Sequence, residues 1–296
     1  MHLGTDGAGS LRIPAAFTGV IGVKPSFGRV PIYPAVLLGV LSHHGPVARS
    51  VADAALMLSA IAQPDARDIA AWNTPAPNYR HGLEEGVRGL RIAFSPRLGQ
   101  AVALNNGIEA TTRKAAFALQ ELGAIVEEAD PPLSRAPELI RAMWWPVAAA
   151  IVSAVPPARR AEMDPGFLAI AEHGRKLSVG DYLTASTARA ELHNAMRCFH
   201  ARYDLLLTPT MPVTALKVGI EAPERPDFND DWLNWSPYTY PFNLTGQPAA
   251  SLPIGVAHNG LPIAAQVAGP LGSDALVLRA ARVIEQALPM TRPQNI

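Results

Sequence analysis

The stretch from residue 90 to 129 limits the folds open to this chain. "LRIAF" (90–94) is a short apolar run of strand type. "NNGIEATTRKAAFALQELG" follows it, with Ile108, Thr112, Ala115, Leu119 and Leu122 at helical spacing and Gly123 placed to end the helix. "AIVEEA" (124–129) is then a second strand. Strand, helix and strand joined by short links make a parallel crossover unit, so the chain contains a parallel pair of strands with a helix laid over them.

The remaining punctuation extends that unit. "SVADAALMLSAIA" (50–62) reads as a helix capped by Ser50, with Asp53 in its first turn and Val51, Ala54, Ala55, Leu58 and Ile61 on one face. A long helix is expected from about Asp181 to Ala201, carrying Ala188, Leu192, Ala195, Phe199 and Tyr203 as its stripe. "YDLLLTPT" reads as a buried strand stopping at Pro209. "ASLPIGVAHNGLPIAAQVAG" reads as two strands turned at His258-Asn259-Gly260, since Asn-Gly is a strong hairpin signal. "SDALVLRAARVIEQAL" closes as a helix capped by Ser273. The expected fold is α/β: a mixed β-sheet covered by helices on both faces, in a single domain over residues 1–296. There is no internal repeat. Residues 221–242, rich in proline and aromatics, form the longest irregular stretch and read as a pocket-lining loop or a partner surface.

Composition narrows the function. Hydrophobic residues make up 49% of the chain and charged residues 17%, so a large core is possible with apolar surface left over. That surplus suits a homodimer interface or a missing piece of the same domain. Net charge is zero and there is no basic run, which argues against nucleic acid as a partner. No run of eighteen apolar residues marks a membrane span. A single cysteine, Cys198, rules out an internal disulfide and fits a cytoplasmic location. Cys198 reads as a buried structural thiol. No metal or cofactor is expected.

Residues 5–14, "TDGAGSLRIP", set one hydroxyl, Ser10, behind three residues that are nearly all backbone. Small residues let N–H groups converge on one point. A phosphate would suit such a point, but the lysine of a P-loop is absent. The oxyanion of a tetrahedral acyl intermediate suits it as well, with Ser10 as nucleophile. The G-x-S-x-G elbow is absent, because Ala8 and Arg12 occupy its glycine positions. A tight turn before a helix starting near Pro14 is the other reading, and spacing alone leaves both open.

This loop resembles that of the amidase signature family, roughly G-T-D-x-G-G-S-I-R-x-P-A; here it is Gly4-Thr5-Asp6-Gly7-Ala8-Gly9-Ser10-Leu11-Arg12-Ile13-Pro14-Ala15. "GVKPSFGRVP", "GPVARSVADAALMLSAIAQPDARD", "YDLLLTPTMP", "PFNLTGQPAASLPIG", "GLPIAAQVAGP" and "DALVLRAARVIEQ" match later family segments in order. The resemblance implies a serine amidohydrolase that cleaves a small carboxamide through an acyl-enzyme. It implies Ser10 as the nucleophile and the N–H groups of Gly7, Ala8, Gly9 and Ser10 as the oxyanion hole. Asp6 and Arg12 would shape the loop or meet substrate. An ordinary surface ion pair is the first reading for Arg12, and a contact to a substrate carboxylate is the second.

The family activates its serine with a second serine and a lysine that precede the loop. Nine residues precede Ser10 here and contain neither, so the triad is expected to be incomplete and the domain to lack its N-terminal part. Lys24 reads as structural. His43 and His44, just ahead of a helix, read as loop or capping residues, with a Ser–His pair as the alternative. Trp144, Trp145, Trp232, Trp235, Tyr238 and Tyr240 line an apolar pocket or pack the core. Two further readings stand beside the hydrolase: a non-catalytic remnant acting in binding or assembly, and the A-type chain of a tRNA-dependent amidotransferase. Ile13 stands where those amidotransferase chains are expected to carry glutamine.

Overall fold

The computed structural model describes residues 1–100, 104–220, 222–223 and 232–290. Eight strands form one sheet in the order β1-β3-β2-β7-β8-β6-β4-β5. They are β1 (His2–Asp6), β2 (Ile21–Lys24), β3 (His43–Ala48), β4 (Arg91–Phe94), β5 (Ile125–Glu128), β6 (Leu205–Pro209), β7 (Ala249–Val256) and β8 (Pro262–Ala268). The helices are α1 (Arg12–Thr18), α2 (Val51–Ile61), α3 (Asn106–Glu121), α4 (Ala136–Ala154), α5 (Pro165–Arg175), α6 (Val179–His200), α7 (Pro241–Leu244) and α8 (Asp274–Ala287).

The sheet is mixed, as expected. β4 pairs in parallel with β5 and β6, and the other pairings are antiparallel. The crossover is β4–α3–β5. Asn105 caps α3 by accepting from the Gly107 N–H at 2.8 Å, and Gly123 ends it with a φ of +93°. Ile108, Thr112, Ala115 and Leu119 are buried as the spacing requires. Leu122 is 47% exposed, because it has reached the helix end where the stripe no longer faces the sheet. Ser50 caps α2 by accepting from the Asp53 N–H, a contact that contributes about 1 kcal/mol. The β7–β8 turn closes at Gly260, φ +78°, with the Ala257 N–H donating to the Leu261 carbonyl at 2.8 Å. Ser273 does not cap α8: its hydroxyl donates backwards to the Pro270 carbonyl at 2.7 Å.

Three elements depart from the sequence reading. α4 and α5 fill a stretch that carries Pro146 inside the first and glycine inside the second. Gly174 accounts for their packing, since a Cβ there would lie 2.0 Å from the Trp145 carbonyl oxygen. His43 and His44 are strand residues, because "HHGPVA" forms β3 between β1 and β2. Pro46 is tolerated there because the β2–β3 register covers only Val47 and Ala48. Cys198 is exposed on α6 and is not a core thiol.

Candidate active site

β1 brings the chain to the Gly7–Ser10 loop and α1 takes it away, packing against β2, β7 and β8. Asp6 is the hub of the turn. Its carboxylate accepts from the Gly9 N–H at 2.6 Å and the Leu11 N–H at 3.2 Å, an arrangement a short acidic side chain makes readily. Arg12 closes on the same carboxylate, Nε to Oδ2 at 3.0 Å and Nη2 to Oδ1 at 3.1 Å. The other Arg12 donors reach the Thr239 carbonyl (2.7 Å), Gln266 Oε1 (2.9 Å) and Asn243 Oδ1 (2.6 Å). Both residues are fully buried. Arg12 is therefore not a surface ion pair: it is saturated within the protein and shapes the loop. Burial pushes the Asp6 carboxyl up, and Arg12 with the hydrogen bonds from Arg12 and Asn243 outweighs it, holding the group well below the usual carboxylate range.

The directions of the loop amides follow from peptide planarity, because the C=O and N–H of a trans peptide point opposite ways. The Asp6 carbonyl accepts from Asn243 Nδ2 at 3.0 Å, which turns the Gly7 N–H away from Asn243. The Gly9 carbonyl accepts from the Arg12 and Ile13 N–H groups at 2.9 and 2.7 Å, which turns the Ser10 N–H away from α1. Among the described residues, no acceptor takes the N–H of Gly7, Ala8 or Ser10, although Gly7 and Ala8 are buried. The Gly9 N–H differs from the expectation, being committed to Asp6. Ser10 itself is exposed, and its hydroxyl bonds no described residue.

The candidate bases lie elsewhere. Lys24 is fully buried, and its Nζ donates to the carbonyls of Pro25 and Gln247. Burial first, and the Arg12 charge second, push it well below the usual lysine range. His43 is buried with its Nδ1 on the Leu41 carbonyl at 3.0 Å. Burial first, and Lys24 second, push its pKa well below the usual histidine value. No hydrogen bond joins His43 or His44 to Ser10. Among the described residues, no group of three His, Cys, Asp or Glu is arranged to hold a metal ion.

The aromatics divide. Tyr238 and Tyr240 are core residues, and the Tyr238 hydroxyl donates to the Pro96 carbonyl at 2.6 Å. Trp144 meets Phe167 edge-on, and Trp145 stacks on His173 between α4 and α5. The Trp232 side chain lies outside the described residues. Trp235 stacks on Phe17 of α1 at 6.1 Å, in a small cluster that includes Ile13. Sequence reasoning missed Thr239, Asn243 and Gln266. The available signal was the set of polar residues inside the otherwise apolar "YTYPFN" and "AAQVA" runs.

The mixed sheet carries Ser10 at the end of a glycine loop centred on Asp6. The chain belongs to the amidase family, whose profile matches residues 1–278. It is 33% identical over 294 residues to the Acylamidase of Rhodococcus erythropolis, covering 97% of this chain and 61% of that protein. It is also 33% identical to the A-type chain of the Glutamyl-tRNA(Gln) amidotransferase of Myxococcus xanthus (strain DK1622), covering 96% of this chain and 63% of the relative. Among solved structures, a bacterial aryl acylamidase of the amidase signature family superposes with a TM-score of 0.85 at 30% identity, over 97% of this chain and 62% of the other. 6-Aminohexanoate cyclic dimer hydrolase superposes at 0.83 with 28% identity, over 99% and 65%. The chain thus spans less than two thirds of the length of these relatives. Among the described residues, no helix is long and apolar enough to cross a membrane.

Proposed function

We propose that the protein is an amide C–N hydrolase that forms its acyl-enzyme on Ser10 and acts on a small carboxamide. The observation carrying this reading is the pairing of an exposed Ser10 hydroxyl with three loop amides, of Gly7, Ala8 and Ser10, that no described acceptor takes. Donors held ready in this way act where charge develops on the carbonyl oxygen. Asp6 and Arg12 serve by fixing that geometry, and we assign the stacked Phe17–Trp235 pair, which includes a residue of the helix that follows the loop, as the apolar surface for an aromatic or aliphatic acyl group. The acylamidase and aryl acylamidase relatives support that substrate class.

No described base hydrogen-bonds Ser10, so turnover by this chain alone should be slow, since a positioned general base contributes about 10²- to 10⁴-fold. The test assays a small aryl amide with the 296-residue chain, with a chimera preceded by the N-terminal segment of an acylamidase relative, and with the Ser10→Ala form of the chimera. Hydrolysis by the chimera that vanishes in Ser10→Ala supports the assignment. Hydrolysis that survives Ser10→Ala removes it. A second reading, the A-type chain of an amidotransferase, rests on relatives of that name at 32–34% identity. Glutamine-dependent ammonia release by the chimera, with no aryl-amide hydrolysis, would favour it.

A further inference from the structure

We propose that Thr239 is a positioning residue for the Ser10 reaction, setting the orientation of the Ala8–Gly9 peptide from the far end of the chain. The inference rests on the reading of Ser10 as nucleophile. Thr239 is fully buried in the turn that opens α7. Its Oγ1 donates to the Ala8 carbonyl at 2.6 Å. The other end of that same peptide, the Gly9 N–H, donates to Asp6 Oδ1 at 2.6 Å. One peptide plane is therefore gripped on opposite edges, by residues 231 and 3 positions away. Thr239 is itself fixed, because its carbonyl accepts from Arg12 Nη1 at 2.7 Å.

The grip matters because of what flanks it. The Ala8 N–H lies on one side of the held plane and the Ser10 N–H on the other, and both are among the amides without an acceptor. A rotation of the Ala8–Gly9 plane changes the ψ of Ala8 and the φ of Gly9, so it moves the two donors relative to each other. Gly9 can follow such a rotation freely, since it already sits at φ +141° with no side chain. The plane is kept in place by the two hydrogen bonds and by close packing: a Cβ on Gly9 would lie 2.4 Å from Thr239 Oγ1. The Thr239 hydroxyl bonds the Ala8 and Ser236 carbonyls and not Ser10, so it acts through the loop.

The experiment follows acylation of Ser10 in the full chain by 4-nitrophenyl butyrate, an activated ester that needs little help from a base. Intact-mass spectrometry reads the rate, and peptide mapping locates the adduct. Thr239→Val removes the donor at constant shape, and Thr239→Ser keeps it; Thr239→Ala replaces the valine form should that not pack. The expected result is a maximal acylation rate about 100-fold lower in Thr239→Val, a half-saturating ester concentration changed less than about twofold, and recovery to within about threefold in Thr239→Ser. Equal maximal rates in wild type and Thr239→Val overturn the proposal alone. Losses in the valine and serine forms that both track a lowered melting temperature also overturn it, because they mark a purely structural role. Absence of an adduct on wild-type Ser10 overturns the nucleophile reading, and the proposal with it.

Discussion

Arg12 and Asp6 meet as a two-point fork, Nε to Oδ2 at 3.0 Å and Nη2 to Oδ1 at 3.1 Å, with neither side chain reached by solvent. A surface pair of the same geometry contributes little, because water competes for both partners. Here each partner has lost its water: Asn243 Nδ2 and the loop amides donate to Asp6, and Gln266 Oε1 and the Thr239 carbonyl accept from Arg12 in its place. The pair therefore behaves as one rigid piece, and the Ser10 loop is built on it.

Removing one partner should be severe. Asp6→Asn leaves the Arg12 charge buried beside a neutral group, and the expected loss is about 3–5 kcal/mol. Urea unfolding at neutral pH checks this. An unchanged midpoint would mean that the pair is hydrated in solution.

The same pair predicts an acid limb. Because the folded state holds the Asp6 pKa below its ordinary 3.8, the stability Asp6 supplies is fully present above that value and is lost as pH falls from there toward the lower folded value. Melting temperatures measured from neutral pH down through this window should decline in the wild type. The part due to Asp6 should be missing from the slope of Asp6→Asn, provided that variant still folds. Identical slopes would assign the decline to other carboxylates.

Lys24 predicts the opposite limb. Burial lowers its folded pKa, so the unfolded chain binds the extra proton at intermediate pH and stability rises as pH climbs toward the ordinary lysine value of 10.5. The window lies below the ordinary lysine value, and its part under about pH 10 avoids the titration of ordinary tyrosines. Lys24→Met should flatten the rise there. A rise of equal size in the variant would exclude Lys24 as its source.

Gly9→Ala should disturb the loop while leaving the sheet intact. The position needs a φ of +141°, and an added methyl would meet Thr239 Oγ1 and Ile13 Cδ1 at 2.4 and 2.7 Å. The expected loss of stability is about 1–3 kcal/mol, together with loss of Ser10 acylation. Near-normal acylation by this variant would show that the loop works in another conformation.

Much of the architecture was legible because it is local. The stripe of α3 as far as Leu119, the cap of α2 and the Asn259-Gly260 turn are decided by residues a few positions apart, and all three formed where spacing put them. The serine loop is local as well, although its Gly9 N–H turned to Asp6 and not to the point where the other amides were expected to meet. β3 was hidden because Pro46 is compatible with a strand only once its neighbours' register is known. α4 was hidden by Pro146, and its fit depends on Gly174 of another helix.

Short-range patterns, and segments in a fixed order, were enough to give the class of fold and the family. Tertiary structure alone decided that Arg12 is buried rather than at the surface, that Lys24 and His43 are withdrawn from Ser10, and that Thr239 and Asn243 hold a loop more than 230 positions away. The reason is physical. Desolvation and hydrogen-bond partnership depend on which distant segments share a volume, and the pairing of β7 with β2 is what brings the later part of the chain beside its beginning.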